Sequence, residues 1–75
     1  MIKKILTERV RQDARWGEQN HDDFTWSVIL GEEVGEVCQA ILADDTEQVE
    51  KELVQVAAVA VAWLECIERR EVFTE

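Results

Sequence analysis

Two pairs of acid or amide side chains stand at positions where helices of this chain should be apolar. Glu33 and Glu36 form the first pair, and Glu52 and Gln55 form the second. Each pair has i, i+3 spacing, which places both members on one side of a helix, about 60° apart. Because an unpaired carboxylate on a core face costs free energy, such groups persist where a cation or a partner charge compensates them. Two helices that each offer such a pair could build a divalent-cation site inside a helical bundle.

Three helices and two short connections are predicted to position these side chains. The apolar spacing places the first helix at residues 2–15, the second at 24–43 and the third at 46–69. Residues 17–23 are rich in turn and cap formers and are predicted to form a loop. Residues 71–75 carry no packing signal and are expected to fray. The sequence therefore predicts an all-α fold in a single domain that spans all 75 residues.

The first two helices each show an apolar direction that should face the core. In the first helix the other side carries charged residues. The apolar stripe of the first helix comprises Ile2, Ile5, Leu6, Val10 and Ala14. The core direction of the second helix is defined by Trp26, Leu30, Val34, Val37 and Ile41.

A tight turn at residues 44–46 joins the second and third helices, so these two helices should form an antiparallel hairpin. About eight residues separate Glu36 from the turn, and about eight more separate the turn from Glu52. At a rise of about 1.5 Å per residue, the two polar pairs should therefore lie at the same height in the hairpin. This coincidence of height favours one shared site.

Capping residues are predicted at both connections. Asp22 or Asp23 is a good N-cap for the second helix. At the start of the third helix a capping box is expected, formed either by Asp45 with Gln48 or by Asp44 with Glu47.

The third helix is apolar on every side over much of its length. Between Glu52 and Leu64 the only polar side chains are Glu52 and Gln55. A helix of this kind is surrounded by protein, and two other helices cannot cover all of its sides. We therefore expect a second copy to pack against it, in an isologous dimer or a higher symmetric assembly. Gly31 and Gly35 weaken their helix by about 1 kcal/mol each, and a close approach of another backbone would explain them.

Composition and charge argue against several kinds of partner and location. A net charge of −9 argues against nucleic-acid binding, although a phosphorylated ligand remains compatible if metal ions neutralise both sides. The longest apolar stretch, residues 56–64, is far shorter than the roughly 20 residues of a membrane span. The first four residues are followed by charge, so no signal peptide is expected and the predicted location is cytoplasmic.

Cys38 and Cys66 lack metal-site spacing and are predicted to be buried, reduced thiols.

The spacing of the acids resembles that of the MazG-like all-α nucleoside triphosphate pyrophosphohydrolases. That family shows the signature E-x-x-E, a helix-turn gap, and then E-x-x-D. Glu-Val-Gly-Glu at residues 33–36, preceded by Glu32, resembles the first half, and Glu-Leu-Val-Gln at residues 52–55 resembles the second. The resemblance covers about residues 16–66. Residues 16–21 are similar to the loop of a small MazG-like subgroup that is common in phage and mobile elements.

This resemblance implies a Mg²⁺-dependent hydrolase, with Mn²⁺ as an alternative metal, that cuts a nucleoside triphosphate between the α and β phosphates. The products would be a nucleoside monophosphate and pyrophosphate, and the role would be the removal of unwanted nucleotides. By the same resemblance, Glu33, Glu36 and Glu52 would be metal ligands. Glu32 would be an outer ligand or the catalytic base that positions a water molecule. Gln55 replaces the family's Asp, and its amide oxygen could ligate the metal without charge or hydrogen-bond Glu52.

Candidate substrate-binding residues flank these acids. Cationic side chains could reach the outer phosphates, and indole rings could stack on a base. The alternatives are that Lys51 pairs with Glu47 at i−4, that the tryptophans anchor the core, and that the single histidine is a surface or cap residue. The candidates are Arg15, Trp16, Asn20, His21, Trp26 and Lys51.

The residues leave other classes of function open. A non-catalytic helical oligomer could bind nucleotides or regulate a partner, without turnover. A structural interaction module could use its acids only to solvate a groove, and Glu33→Gln would then stabilise the fold at no functional cost. A related all-α phosphohydrolase that acts on another substrate could carry the same double-acid hairpin.

Overall fold

Three helices make up the computed structural model, which describes the backbone of residues 1–74 and the side chains through residue 71. Helix α1 spans Ile2–Trp16, α2 spans Asp23–Leu42 and α3 spans Thr46–Thr74. No strand occurs among the described residues. The predicted all-α fold class is confirmed, and the boundaries of the first two helices differ from the prediction by one residue at most.

Local hydrogen bonds explain where α2 and α3 begin. Asp22 Oδ1 accepts a hydrogen bond from the Thr25 N–H at 2.8 Å, so Asp22 is the N-cap of α2. Asp45 Oδ1 accepts from the Gln48 N–H at 3.1 Å at the start of α3. The reciprocal half of the predicted capping box is not made, because the Gln48 side chain donates to Glu52.

Helix α3 is longer than the sequence predicted. The helix was predicted to end at residue 69 and to be followed by a fraying tail, whereas its backbone is helical through Thr74. Neither proline nor glycine follows Arg70, so nothing in the local sequence terminates the helix there. The last residue of that predicted tail, Glu75, lies outside the described residues.

The hydrophobic core lies between α2 and α3. These helices pack antiparallel, because Asp23 at the start of α2 accepts hydrogen bonds from Trp63 and Arg70 in the second half of α3. Trp26 is only 1% exposed and fills the centre of the interface, so it is a core anchor. Its buried neighbours are Val59, Ala62 and Cys66.

Helix α2 turns a narrower face towards the core than its apolar spacing predicted. Leu30 and Val37 are half-buried as expected, but Val34 and Ile41 remain 45% and 60% exposed, which corrects their assignment to the core. The half-buried Glu33 occupies part of the face that packs on α3. Among the described helices, only the backbone of α3 packs on α2. The buried face of α2 is therefore limited to the side that contacts α3.

The apolar stripe of α1 does not face the core of this chain. Ile2, Leu6 and Val10 are 61%, 56% and 70% exposed, and Ala14 is exposed as well. Ile5 is half-buried, and no residue of α1 is buried. The prediction that this stripe packs against the other helices is therefore wrong within one chain.

Charged and amide side chains hold α1 on α3 instead. Arg9 donates to Glu65 Oε1 at 2.6 and 2.9 Å, and its side chain is only 13% exposed. Gln12 Nε2 donates to Gln55 Oε1 at 3.2 Å. These bonds turn the polar side of α1 towards α3 and leave the stripe outside. Among the described residues, no Cα atoms of α1 and α2 come within 8 Å of each other, so a cleft opens between them over α3.

Two further predictions are corrected by the packing. Both cysteines are free thiols, but only Cys66 is buried; Cys38 is exposed because it lies about 120° around α2 from Trp26. A Cβ atom added to Gly31 or Gly35 would meet nothing within 4 Å, so no backbone approaches them within this chain.

Over residues 1–74, no helix combines the length and hydropathy that crossing a membrane requires.

Candidate functional site

Three carboxylates of α2 and α3 converge at one level of the molecule. Glu33, Glu36 and Glu52 each place an oxygen atom within 4.8 Å of the other two, and we call them the carboxylate cluster. The i, i+3 spacing directs the first two towards one side of α2, and the antiparallel packing brings Glu52 to the same height. The predicted coincidence of height is thus confirmed for these three residues.

The pKa values of two cluster members are raised. The pKa of Glu36 rises to about 7, because its carboxyl shares a hydrogen bond with Glu52 and lies near the negative charges of Glu33 and Glu52. Burial is the largest cause that raises the pKa of Glu33, and a hydrogen bond with Glu36 partly opposes it. The neighbouring negative charges that raise it further are those of Glu52, Glu32 and Glu8. A fully ionised cluster is therefore unfavourable without a compensating cation.

When all three carboxyl groups are ionised, two oxygen atoms of the cluster are buried without a hydrogen-bond donor among the described residues. They are Glu33 Oε2 and Glu52 Oε2. The other oxygen of Glu52 accepts a hydrogen bond from Gln48 Nε2 at 2.7 Å. A buried oxygen without a donor costs free energy, and carboxylate oxygens are the ligands that Mg²⁺ and Mn²⁺ prefer. The residues present therefore fit a divalent cation.

A cleft of about 310 Å³ lies between α1 and α2, with α3 as its floor. Its α1 side, together with the following loop, offers cationic, amide and indole groups, and its α2 side offers a carboxylate of the cluster. The floor is apolar except for one amide. The lining residues are Arg11, Gln12, Arg15, Trp16 and Gln19 on the first side, Trp26, Ile29 and Glu33 on the second, and Gln55, Val59 and Ala62 at the floor.

Two of the predicted substrate-binding residues stand together at the mouth of this cleft. The guanidinium of Arg15 lies 4.6 Å from the ring centroid of Trp16, which is a cation–π contact. Trp16 is 58% exposed. Arg15 makes no ion pair within 4.0 Å among the residues whose side chains are described, so its charge is available to an anionic ligand.

Asn20 and His21 do not line the cleft. Asn20 Oδ1 accepts a hydrogen bond from Arg69 Nε at 2.9 Å. The ring of His21 packs edge-on against Trp26, with 4.9 Å between ring centroids. The structure therefore places both residues where they fasten the connection between α1 and α2 to the core, apart from the carboxylate cluster.

Lys51 and Glu32 also lie outside the cleft, whereas the predicted substrate-binding residue Trp26 lines it as a buried core residue. Lys51 lines a neighbouring groove of about 520 Å³ that shares Arg11 and Gln55 with the cleft. The alternative ion pair between Lys51 and Glu47 does not form within 4.0 Å among the described side chains. Glu32 is exposed, and its negative charge contributes to the raised pKa of Glu33.

Two residues near the cluster were missed by reasoning from the sequence. Gln48 donates to Glu52, and its place one turn before Glu52 was a usable signal. The side chain of Glu8 is only 12% exposed, and its hydrogen bonds with Arg11 are the largest cause that lowers its pKa. Nothing in the spacing of α1 indicated that its polar side, and hence Glu8, would face α3.

Comparison of the chain with protein-family models, with curated proteins and with solved structures finds no match. The function is therefore inferred from the described side chains and from the family resemblance of residues 33–36 and 52–55. Three carboxylates place oxygen atoms within 4.8 Å of one another, and one of them, Glu33, lines a cleft whose opposite side carries cations and an indole.

Proposed function

We propose that this chain is a divalent-cation-dependent nucleoside triphosphate pyrophosphohydrolase. The observation that carries the proposal is the carboxylate cluster beside a cleft that offers Arg15 and Trp16 on its far side. The E-x-x-E and E-x-x-Q spacing supports it, because it resembles the MazG-like pattern. The products are a nucleoside monophosphate and pyrophosphate, and the role is the removal of unwanted nucleotides.

The metal is Mg²⁺ in this proposal, with Mn²⁺ as an alternative, and Glu33, Glu36 and Glu52 would hold it. When bound, the cation would neutralise negative charge on the phosphates and favour attack at phosphorus. The buried, unpartnered oxygens of Glu33 and Glu52 support this ligand set. Gln55 is left outside this ligand set in the proposal, and its amide oxygen accepts a hydrogen bond from Gln12 Nε2.

The cleft offers a cation and an exposed aromatic ring, which are groups that suit a nucleotide. Arg15 has a free charge for a phosphate oxygen, and Trp16 offers an exposed indole face for a base. The apolar floor around Val59 would exclude water from the sugar and base. Only the resemblance assigns Glu32 as the base that accepts the proton of the attacking water, since its side chain is exposed and does not line the cleft.

We further propose that the chain works as a homo-oligomer, either a dimer or a tetramer. Its accessible surface is 5591 Å², whereas a folded monomer of its mass is expected to expose about 4700 Å². The excess of about 900 Å² is similar to the roughly 800 Å² that one partner buries in a stable interface. The exposed stripe of α1 and the exposed Leu53 and Leu64 of α3 are the surfaces that a second copy would cover.

Pyrophosphate release from a panel of canonical and modified nucleoside triphosphates tests the enzymatic proposal. The full-length chain is assayed with Mg²⁺ and with EDTA, and the nucleoside products are separated to show which bond is cut. Metal-dependent release of pyrophosphate with a nucleoside monophosphate as co-product supports the proposal. A folded protein that binds nucleotides but releases no pyrophosphate would favour the non-catalytic relative, for which the uncharged Gln55 is the specific argument.

The stability of the metal-free protein is expected to fall as the pH rises from about 4.5 to 7. The pKa of Glu36 is about 7 in the fold against 4.5 ordinarily, so the folded state holds a proton over this interval that the unfolded chain has lost. Adding Mn²⁺ should reverse this trend, because the metal displaces the proton and binds more tightly at higher pH. Melting temperatures from pH 4.5 to 8, with and without Mn²⁺, check both slopes. If the melting temperatures of Glu36→Gln and of the unaltered chain changed with pH in the same way, the raised pKa would not belong to Glu36.

A further inference from the structure

The attachment of α1 to α3 depends on a short series of polar contacts that we call the polar seam. It comprises Lys4, Glu8, Arg9 and Gln12 on α1 with Glu50, Gln55 and Glu65 on α3. No residue of α1 is buried, and within the described residues its backbone approaches α3 and not α2. The seam, more than apolar packing, therefore sets where α1 lies.

Gln55 is the middle contact of the polar seam and the one closest to the cleft. Its Oε1 accepts a hydrogen bond from Gln12 Nε2 at 3.2 Å, and it lines both the cleft and the neighbouring groove. The Glu8 carboxylate accepts hydrogen bonds of 2.6 to 3.0 Å from Arg11, which are the largest cause that lowers its pKa. A hydrogen bond with the Gln55 amide lowers that pKa further. The Gln55 amide thus accepts a hydrogen bond from Gln12 and lies beside the carboxylate of Glu8.

The position of α1 decides what the cleft can bind. Arg15 and Trp16 follow Gln12 by three and four residues, so they lie one turn further along the same side of α1. A shift of the seam would carry both residues away from Glu33 on the opposite side. The distance between the cations and the carboxylate cluster therefore depends on how Gln12 meets α3.

We propose that Gln55 is a positioning residue that docks α1 on α3 and so sets Arg15 and Trp16 opposite the carboxylate cluster. An amide suits this position, because it can accept from Gln12 and donate to Glu8 at once. The Asp of the family pattern would place a second anion beside Glu8, whose side chain is only 12% exposed. The inference deepens the proposed function, since it explains how a site without the fourth acid still forms its cleft.

The test measures amide hydrogen exchange of α1 in the full-length chain, together with Mn²⁺ affinity. Gln55→Asp is expected to speed exchange in α1 by at least about tenfold, because two neighbouring carboxylates repel each other in a half-buried site. Adding Glu8→Gln should restore much of the protection by removing one of the two charges. Mn²⁺ affinity should change less than about threefold, since the three cluster oxygens are untouched. If nucleotides are hydrolysed, KM should rise more than kcat falls.

The opposite pattern would overturn the proposal. If Gln55→Asp tightens Mn²⁺ binding by tenfold or more while exchange in α1 is unchanged, Gln55 belongs to the metal ligands. If Gln55→Asp fails to fold, Gln55→Leu and Gln12→Leu decide instead. Each should speed α1 exchange by about three- to tenfold, and the double variant should be faster by less than the product of the two effects, because both single variants remove the same hydrogen bond between Gln12 and Gln55. Additive effects would exclude a shared contact.

Failure of this inference can be told apart from failure of the proposed function. Exchange in α1 and its rescue by Glu8→Gln need neither nucleotide nor turnover. A chain that shows the rescue but releases no pyrophosphate would keep Gln55 as the docking residue and lose the hydrolase. If the chain hydrolyses nucleotides but Glu8→Gln gives no rescue, the hydrolase proposal stands and Gln55 is not the docking residue.

Discussion

Glu33→Gln is expected to reduce metal-dependent pyrophosphate release by about a hundred- to a thousandfold while the fold survives. Glu33 belongs to the carboxylate cluster and also lines the cleft, and one of its oxygens is buried without a partner. The amide keeps the size of the side chain but removes the charge that would hold the cation. The measurement is the initial rate of pyrophosphate release on the best nucleotide of the panel, in saturating Mg²⁺.

Glu68→Gln is the matched control for this variant. Glu68 is an exposed acid of α3 and has no place in the cluster or the cleft, so its activity should stay within about twofold of the unaltered chain. In the absence of metal, Glu33→Gln should also melt at a higher temperature, because burial raises the pKa of Glu33 and neighbouring charges repel it. A stabilised Glu33→Gln protein with full activity would contradict the enzymatic proposal and favour the interaction module.

Leu53→Glu is expected to convert the oligomer to monomers. Leu53 is 52% exposed and borders a groove of about 410 Å³ between α1 and α3, which Ile5 and Ala57 also line. Burying a leucine stabilises an interface by about 1.5 to 3 kcal/mol, and a two-fold interface would contain it twice, so association should weaken by at least about a hundredfold. Size-exclusion chromatography with light scattering over a range of concentrations measures this shift from a multiple of 8.7 kDa.

Leu42→Glu provides the control for this second prediction. Leu42 is 86% exposed at the end of α2 and does not line the groove, so the same substitution there should leave the oligomer intact. If Leu42→Glu yields monomers and Leu53→Glu does not, the interface lies on α2 and the assignment to α1 and α3 is wrong. An unaltered chain that remains monomeric at high concentration would remove the proposal of self-association altogether.

Much of the fold could be predicted because its signals are local. Asp22 is a short polar residue directly before an apolar run, and it forms the N-cap by accepting from a nearby N–H. The height of Glu52 opposite Glu36 follows from the constant rise of two helices joined by a tight turn. Such features need only nearby residues and regular geometry, and the structure bears them out.

The orientation of α1 could not be predicted in the same way. Its spacing shows an apolar stripe, but the stripe alone does not say which neighbour covers it. The contacts that decide the orientation join Arg9 to Glu65 and Gln12 to Gln55, pairs that are 56 and 43 residues apart. Because Gln12 and Glu8 are ordinary surface residue types, the pattern of α1 does not show that they are half-buried against α3.

The candidate site shows the same division between local and distant signals. Glu33 and Glu52 were found because a carboxylate within an apolar arc is unusual and costs free energy. Asn20 and His21 were placed near the ligand by resemblance, whereas their contacts with Arg69 and Trp26 come from the tertiary packing of the loop. Anomalous residue types on a helix face therefore predicted the cluster, and only the packing showed which residues form the cleft.

Mn²⁺ binding to the full-length, nucleotide-free protein at pH 8 tests the central claim most directly. Electron paramagnetic resonance counts the free ion, so it reports binding without any assumption about substrate or turnover. We predict saturable binding with a dissociation constant below about 1 mM, lost in Glu33→Gln and retained in Glu68→Gln. If Mn²⁺ stays free at millimolar concentration, or binds Glu33→Gln equally well, the carboxylate cluster is not a metal site.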